Sequence, residues 1–382
     1  MRVRTTVVAA TAVLMTTAAL AGPAVASGTG RADTDGRHTG TRRAVEAAVA
    51  AGVPGVTATA QDTHGTWSAT AGVGDLDTGA PRSAADRYRV GSITKTFVAT
   101  VLLQLEAEGR LSLDDTVEHW LPGVVHGHGN DGGRITLRRL LNHTSGIHDY
   151  TADQDFDRHV FTADGFRRHS YDTYTPARLV AVALRHAPDS APGASWHYSN
   201  TNYVLAGMVI ERVSGHSYAE EITRRLIRPL HLTATSLPGT RVTVPHPSSR
   251  AYSRFTDPTG PAYDVTLLNP SLASAAGEMI SSSADLDRFY GALLGGRLLP
   301  AAQLKEMKTT VPTGARNTGY GLGLMDEELS CGVHVWGHSG GIHGSVSRAA
   351  TTADGRHSLA LNLNGDWAGD PDTVLEAEYC GG

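Results

Sequence analysis

Ser92 and Lys95 stand three residues apart in Arg89-Val90-Gly91-Ser92-Ile93-Thr94-Lys95, which runs into an apolar, helix-periodic stretch over residues 96–105. Helical spacing puts both side chains on one face of the first turn. A serine hydroxyl is a weak nucleophile until a neighbouring base takes its proton, and an amine kept partly neutral can be that base. The positive end of the helix dipole disfavours a cation at Lys95 and stabilises negative charge growing near Ser92. Exposed Ser-x-x-Lys pairs are common, but this chain has only three lysines, Lys95, Lys305 and Lys308, and uses arginine elsewhere. An isolated lysine at an apolar helix start points to chemistry rather than solubility.

A second candidate group is Tyr198-Ser199-Asn200, ahead of a helix expected over residues 202–214 and closed by Gly215. A phenol can shuttle a proton, and an amide two residues on can bond both a substrate and the lysine. The third is Gly337-His338-Ser339-Gly340-Gly341. As G-x-S-x-G it would make Ser339 a nucleophile on a strand-to-helix elbow. That requires a helix to follow, and residues 344–347 instead continue as strand. As an edge-strand recognition element it turns His338 and Ser339 to the cleft, while Gly340 and Gly341 admit substrate backbone. The Gly341 N–H would then join that of Ser92 in stabilising an oxyanion. A metal centre is not expected: the 18 histidines include no His-Glu-x-x-His, and there is no cysteine cluster.

These groups need a scaffold, and 382 residues with 40% hydrophobic and 19% charged content supply one. A formal charge of −5 gives no basic footprint, which excludes nucleic acid as the natural partner. Residues 1–26 read as a secretory signal: Arg2 and Arg4, an apolar run over 7–20, then the small-residue site Ala24-Val25-Ala26. No later segment is apolar enough to span a bilayer, so a secreted, extracellular protein with no membrane partner after signal cleavage is expected. The two cysteines, Cys331 and Cys380, have only each other to pair with in an oxidising compartment. Their disulfide would tie the C-terminal helix to a strand.

Residues 27–41 read as a flexible mature N-terminus. A helix follows over 42–51, then a hairpin of 56–61 and 66–71 across Asp62-Thr63-His64-Gly65. The Ser92 helix runs to Glu108 and stops at Gly109. Thr175-Pro176 caps a later helix, and residues 283–294 form another. Residues 126–133 read as a surface loop. Strands are expected at 320–324, 333–336, 345–351 and 358–363, the last two joined through Asp354-Gly355-Arg356, with a final helix over 372–379. Strands at both ends with helices between indicate an α/β (α+β) domain over 42–382. Its sheet comes from residues 42–115 and 275–382, and its inserted helical part from 116–274.

Taken in order, Ser92-Ile93-Thr94-Lys95, Tyr198-Ser199-Asn200 and His338-Ser339-Gly340 resemble the motifs of the penicillin-recognising serine hydrolases. The branch is that of class C β-lactamases, related esterases, D-aminopeptidases and secreted actinomycete D-alanyl-D-alanine carboxypeptidases. Leu140-Leu141-Asn142-His143-Thr144-Ser145-Gly146 and Gly319-Tyr320-Gly321-Leu322-Gly323-Leu324 add to the likeness, as does the Cys331–Cys380 pair. The resemblance implies an antiparallel sheet flanked by helices, with a cleft against a helical domain. It implies Ser92 as acyl-accepting nucleophile, Lys95 as its proton partner and Tyr198 as general acid/base. Asn200 would position substrate and Lys95, His338 would supply polarity, and Ser339 would bond the substrate. No metal or organic cofactor is implied, and a monomer acting on a small peptide, β-lactam or ester is expected. One position departs. Where the carboxypeptidases carry an arginine for the substrate's terminal carboxylate, this chain has Met325, then Asp326, Glu327 and Glu328. Acids there repel a carboxylate. The leading expectation is a carboxypeptidase-like acyl-enzyme hydrolase acting on cell-wall peptides and acylated by β-lactams. An esterase, β-lactamase or D-amino-acid amidase with the same machinery is the alternative, and a non-hydrolytic binding homologue is the third reading.

Overall fold

The computed structural model describes residues 36–381. The signal segment and residues 27–35 lie outside the described residues. Eight antiparallel strands form the main sheet: β1 (Gly55–Asp62), β2 (Gly65–Gly72), β3 (Val311–Pro312), β4 (Thr318–Tyr320), β5 (Met325–Glu328), β6 (His334–Ile342), β7 (Ser345–Thr352) and β8 (Ser358–Leu363). In space they run β2-β1-β8-β7-β6-β5-β4-β3. The two ends of the chain therefore share one sheet, with β1 against β8 from Val56↔Leu363 to Gln61↔Ser358.

Alternation along the strands divides the core in two. Ala349 and Ala360 belong to one apolar cluster with α2 (Thr94–Ala107), α3 (Asn200–Ser214) and α4 (Ser283–Leu294). Their chain neighbours Ala350, Leu359 and Leu361 belong to another, with α1 (Thr39–Ala50) and α5 (Pro371–Cys380). That is the period-two pattern of a sheet covered on both faces. α2 is buried on nearly every side from Thr94 to Leu103, as a helix between a sheet and a helical layer must be.

Several boundaries differ from those read off the sequence. α1 starts at Thr39, inside the stretch expected to be flexible. Thr41 is buried, its hydroxyl donating to Glu378 Oε2 at 2.6 Å, and His38 lies 3.1 Å from the same carboxylate. Residues 126–133 are not an open loop but a small hairpin, His126–Gly127 against Asn130–Asp131. The strand expected over 320–324 is a turn joining β4 to β5. Gly323 has φ +67°, and a Cβ there would meet Ala99 at 2.7 Å and the Tyr203 hydroxyl at 2.8 Å. The Gly-Leu alternation imitates a strand, but the glycine serves a tight turn pressed onto α2. Cys331 and Cys380 are bonded, their Cα atoms 5.7 Å apart. The bond holds α5 to the β5–β6 turn rather than to a strand. Among the described residues no helix is long and apolar enough to cross a membrane.

Candidate active site

Ser92 lies in a 3₁₀ turn, Gly91–Ile93, that leads into α2 rather than in the α-helix itself. Three contacts pin this turn. Val90 N–H donates to the Met279 carbonyl at 2.9 Å, Ser345 Oγ donates to the Arg89 carbonyl at 2.7 Å, and Tyr88–Arg89 pairs with Ile280–Ser281. Gly91 takes φ +52°, and a Cβ there would lie 2.7 Å from Gly341 N. Ser92 is left half-buried between buried neighbours, its hydroxyl at the cleft.

Lys95 is fully buried, and its Nζ sits among three acceptors: Ser92 Oγ at 2.9 Å, Asn200 Oδ1 at 2.7 Å and the Ala276 carbonyl at 2.7 Å. Asn200 is the first residue of α3, which begins two residues earlier than its sequence suggests. Its Nδ2 donates to Asp149 Oδ2 at 2.9 Å. A carboxylate can only accept, so this bond fixes Oδ1 toward the lysine. Burial drives Lys95 down to about 7, with Asp149 pulling partly the other way. Burial raises the Tyr198 phenol well above the ordinary value, with the Ser92 hydroxyl pulling the other way. Lys95 Nζ also lies 4.9 Å from the centre of the Tyr198 ring.

β6 supplies the opposite wall. Its pairing with β5 ends at Met325↔Gly337, while pairing with β7 continues to Ile342↔Ser345. Residues 338–342 are thus a local sheet edge on the cleft side, although β6 as a whole is internal. Alternation exposes Ser339 and Gly341 and buries His338 and Gly340. His338 nevertheless lines the cavity beside Ser339. It is 1% exposed, with Nε2 2.9 Å from the Tyr320 hydroxyl and Nδ1 2.5 Å from the Ser339 carbonyl. Burial holds it neutral, at about 3. Gly340 lines the cavity too, and packing requires it to be glycine. A Cβ there would stand 1.9 Å from the Val90 carbonyl, so the strand and the Ser92 turn close directly on each other. At Gly341 a Cβ would meet nothing within 4 Å.

Ser92, Tyr198, His338, Ser339, Gly340 and Gly341 line one cavity of about 470 Å³, with Trp196, Thr313, Ala315, Thr318, Tyr320 and Met325 completing it. Apart from the neutral His338, none of these carries a basic side chain. Sequence reasoning missed Asp149, the Ala276 carbonyl and His143. All three reach the site by long-range packing. The signals available were weak, although His143 lies inside the Asn142-His143-Thr144-Ser145 stretch.

The arrangement can activate a hydroxyl and transfer an acyl group through it. Residues 41–372 match the family described as Beta-lactamase. A D-stereospecific amidohydrolase from Streptomyces sp. superposes with a TM-score of 0.87 at 60% identity, covering 90% of this chain and 99% of that one. A D-amino acid amidase from Ochrobactrum anthropi SV3 gives 0.76 at 29%, covering 89% and 97%. Penicillin-binding protein 4 of Amycolatopsis lactamdurans is 29% identical over 327 residues, 81% of this chain and 80% of its own length. Against the Staphylococcus aureus relatives described as Protein flp, the match spans 33% of their length.

Proposed function

We propose that this chain, which belongs to the beta-lactamase family of serine hydrolases, hydrolyses amides or esters of D-amino acids through an acyl-enzyme on Ser92. The observation that carries the substrate class is the cavity wall at Met325. Trp196, Tyr320 and Met325 form an aromatic and apolar pocket with no cation to hold a carboxylate. The acids of β5 follow directly, and Asp326 and Glu327 are only half-buried. An uncharged leaving group fits there better than a C-terminal carboxylate. The 60% identity to a D-stereospecific amidohydrolase supports the same reading.

Asp149, half-buried behind Asn200, favours the charged form of Lys95 against the effect of burial. In the neutral amine of Lys95, two N–H bonds go to Asn200 Oδ1 and the Ala276 carbonyl, which can only accept. The lone pair then faces Ser92 Oγ. Ser92 Oγ attacks the substrate carbonyl as its proton passes to Lys95. The N–H groups of Ser92 and Gly341, whose backbones adjoin at Gly91 and Gly340, receive the oxyanion. Tyr198, a phenol with its proton held on, donates to the departing nitrogen and is reprotonated from Lys95. Water then attacks the ester by the reverse route, freeing Ser92 and the D-amino acid. Secretion accords with this reading, since the disulfide belongs to an oxidising compartment.

The deciding experiment compares a D-amino acid amide, its L-enantiomer and a peptide ending in D-Ala-D-Ala, with Ser92→Ala as control. The expected result is Ser92-dependent release of ammonia from the D-amide in preference to the other two. Faster cleavage of the D-Ala-D-Ala peptide, lost when its carboxylate is amidated, would favour the carboxypeptidase reading. Absence of turnover and of any acyl adduct would leave only a binding role.

A further inference from the structure

A directional run of hydrogen bonds passes beneath the cleft. Ser199 N–H donates to His143 Nδ1 at 3.1 Å, and the Asn202 amide lies 3.2 Å from the same nitrogen. A backbone N–H can only donate, so Nδ1 carries the lone pair and the neutral ring keeps its proton on Nε2. That Nε2 lies 3.2 Å from the Tyr320 hydroxyl. At the far end His338 Nδ1 lies 2.5 Å from the Ser339 carbonyl, which can only accept. His338 therefore holds its proton on Nδ1 and offers a lone pair at Nε2, where the Tyr320 hydroxyl donates at 2.9 Å. The polarity runs one way, from Ser199 through His143, Tyr320 and His338 to the Ser339 carbonyl.

We propose that His143 is a positioning residue which, through Tyr320 and the Nδ1–H tautomer of His338, ties the Tyr198–Asn200 segment to the β6 edge carrying Ser339 and Gly341. The ends of the run support this. Ser199 sits between Tyr198 and Asn200, and Ser339 sits between His338 and Gly340. The backbone of His143 supports it independently. His143 is a fully buried residue at φ +60°, a conformation unfavourable for a residue that carries a side chain. Its ring centre lies 4.2 Å from that of Tyr198. The charges facing the two imidazoles are Lys95, which acts on both, and Arg348, which acts on His338. Trp196, Tyr198, Tyr203 and Tyr320 supply the remaining aromatic surroundings. A run of neutral groups fixes geometry without adding charge beside Lys95. The bonding pattern does not depend on the substrate; its effect on rate rests on the hydrolase reading above.

The test uses the full chain labelled with ¹⁵N-histidine, with His338→Gln to assign the resonances. Long-range proton–nitrogen spectra between pH 5 and 8 should show His338 as the Nδ1–H tautomer with no titration. In Tyr320→Phe the Ser339 carbonyl still holds the proton on Nδ1, so the tautomer should stay while the resonance of the freed Nε2 shifts. kcat should fall about tenfold while KM changes by less than about twofold. His143→Asn keeps the left-handed backbone and an acceptor for Ser199 N–H but cannot reach Tyr320. It should match Tyr320→Phe in kcat. An Nε2–H tautomer of His338 in the unmodified protein would overturn the proposal. So would unchanged kcat in both variants, even with lower thermal stability, because that is what simple core packing predicts. The spectra require no turnover, so their failure is distinct from failure of the hydrolase reading.

Discussion

Buried positive charge is treated in opposite ways on the two faces of the sheet. On the α2 face, Lys95 meets a hydroxyl, an amide oxygen and a backbone carbonyl, all neutral. Asp149 reaches it only from behind Asn200. On the α5 face, the Arg348 side chain is 3% exposed and contacts two carboxylates, with Asp372 at 2.9 Å and Glu327 on its other edge. Neutral acceptors solvate an ammonium less well than water does, so the lysine is pushed toward losing its proton. Carboxylates fix a charge in place. The kind of partner decides whether a buried base is a reagent or a rivet.

The largest expected effect removes the reagent. Lys95→Met should lower kcat/KM by about 10³-fold, within the range for general acid–base groups, and leave the protein folded. Lys95→Arg should not restore rate, because a guanidinium stays charged. An active Lys95→Arg enzyme would contradict the role given to the amine. Removing the rivet should act on stability instead. Arg348→Met should cost on the order of 2 kcal/mol, below the fully buried case because Asp372 and Glu327 keep some exposure. Urea unfolding should show a lower midpoint at unchanged slope, with activity per folded molecule nearly intact.

Asn200→Asp makes the first site resemble the second. In the unmodified protein the basic form of Lys95 lies on the alkaline side of about 7, so kcat/KM should rise with pH through that value. A carboxylate beside the amine favours its charged form, moving this rise upward by roughly one unit or more. At pH 7 the variant should then be about tenfold slower. A pH profile that stays in place would show that Lys95 is not the titrating group. The smallest effect concerns Met325→Arg, which should improve substrates ending in a free carboxylate by a few-fold, on the order of 1 kcal/mol or less. An improvement for amides alone would mean that Met325 does not face the leaving group.

The parts legible in the sequence were those set by local spacing. The Ser92 and Lys95 pair, the caps at Thr175 and Gly215, and the β7–β8 hairpin each depend on neighbours within a few residues. Gly321 and Gly323 misled because alternation with leucine looks the same in a strand and in the turn where Gly323 takes φ +67°. His338 was legible as a polar residue of the site, but not its burial against Tyr320. Strand parity relative to the core depends on where β6 pairs with β5 and β7. The environment of Lys95 was the least legible part. The Ala276 carbonyl has no side-chain signature, and Asp149 acts through an amide 51 residues away.

The order of the strands also bears on how the chain is made. β1 and β2 come early in synthesis, yet the inner edge of β1 is covered only by β8, residues 358–363. Until that last strand emerges, the hairpin presents an unpaired edge rich in threonine and alanine, open to edge-to-edge association. Closing contacts between distant ends also slows folding. Refolding yield should therefore fall steeply with protein concentration, and chains cut short before β8 should aggregate rather than fold into a smaller domain.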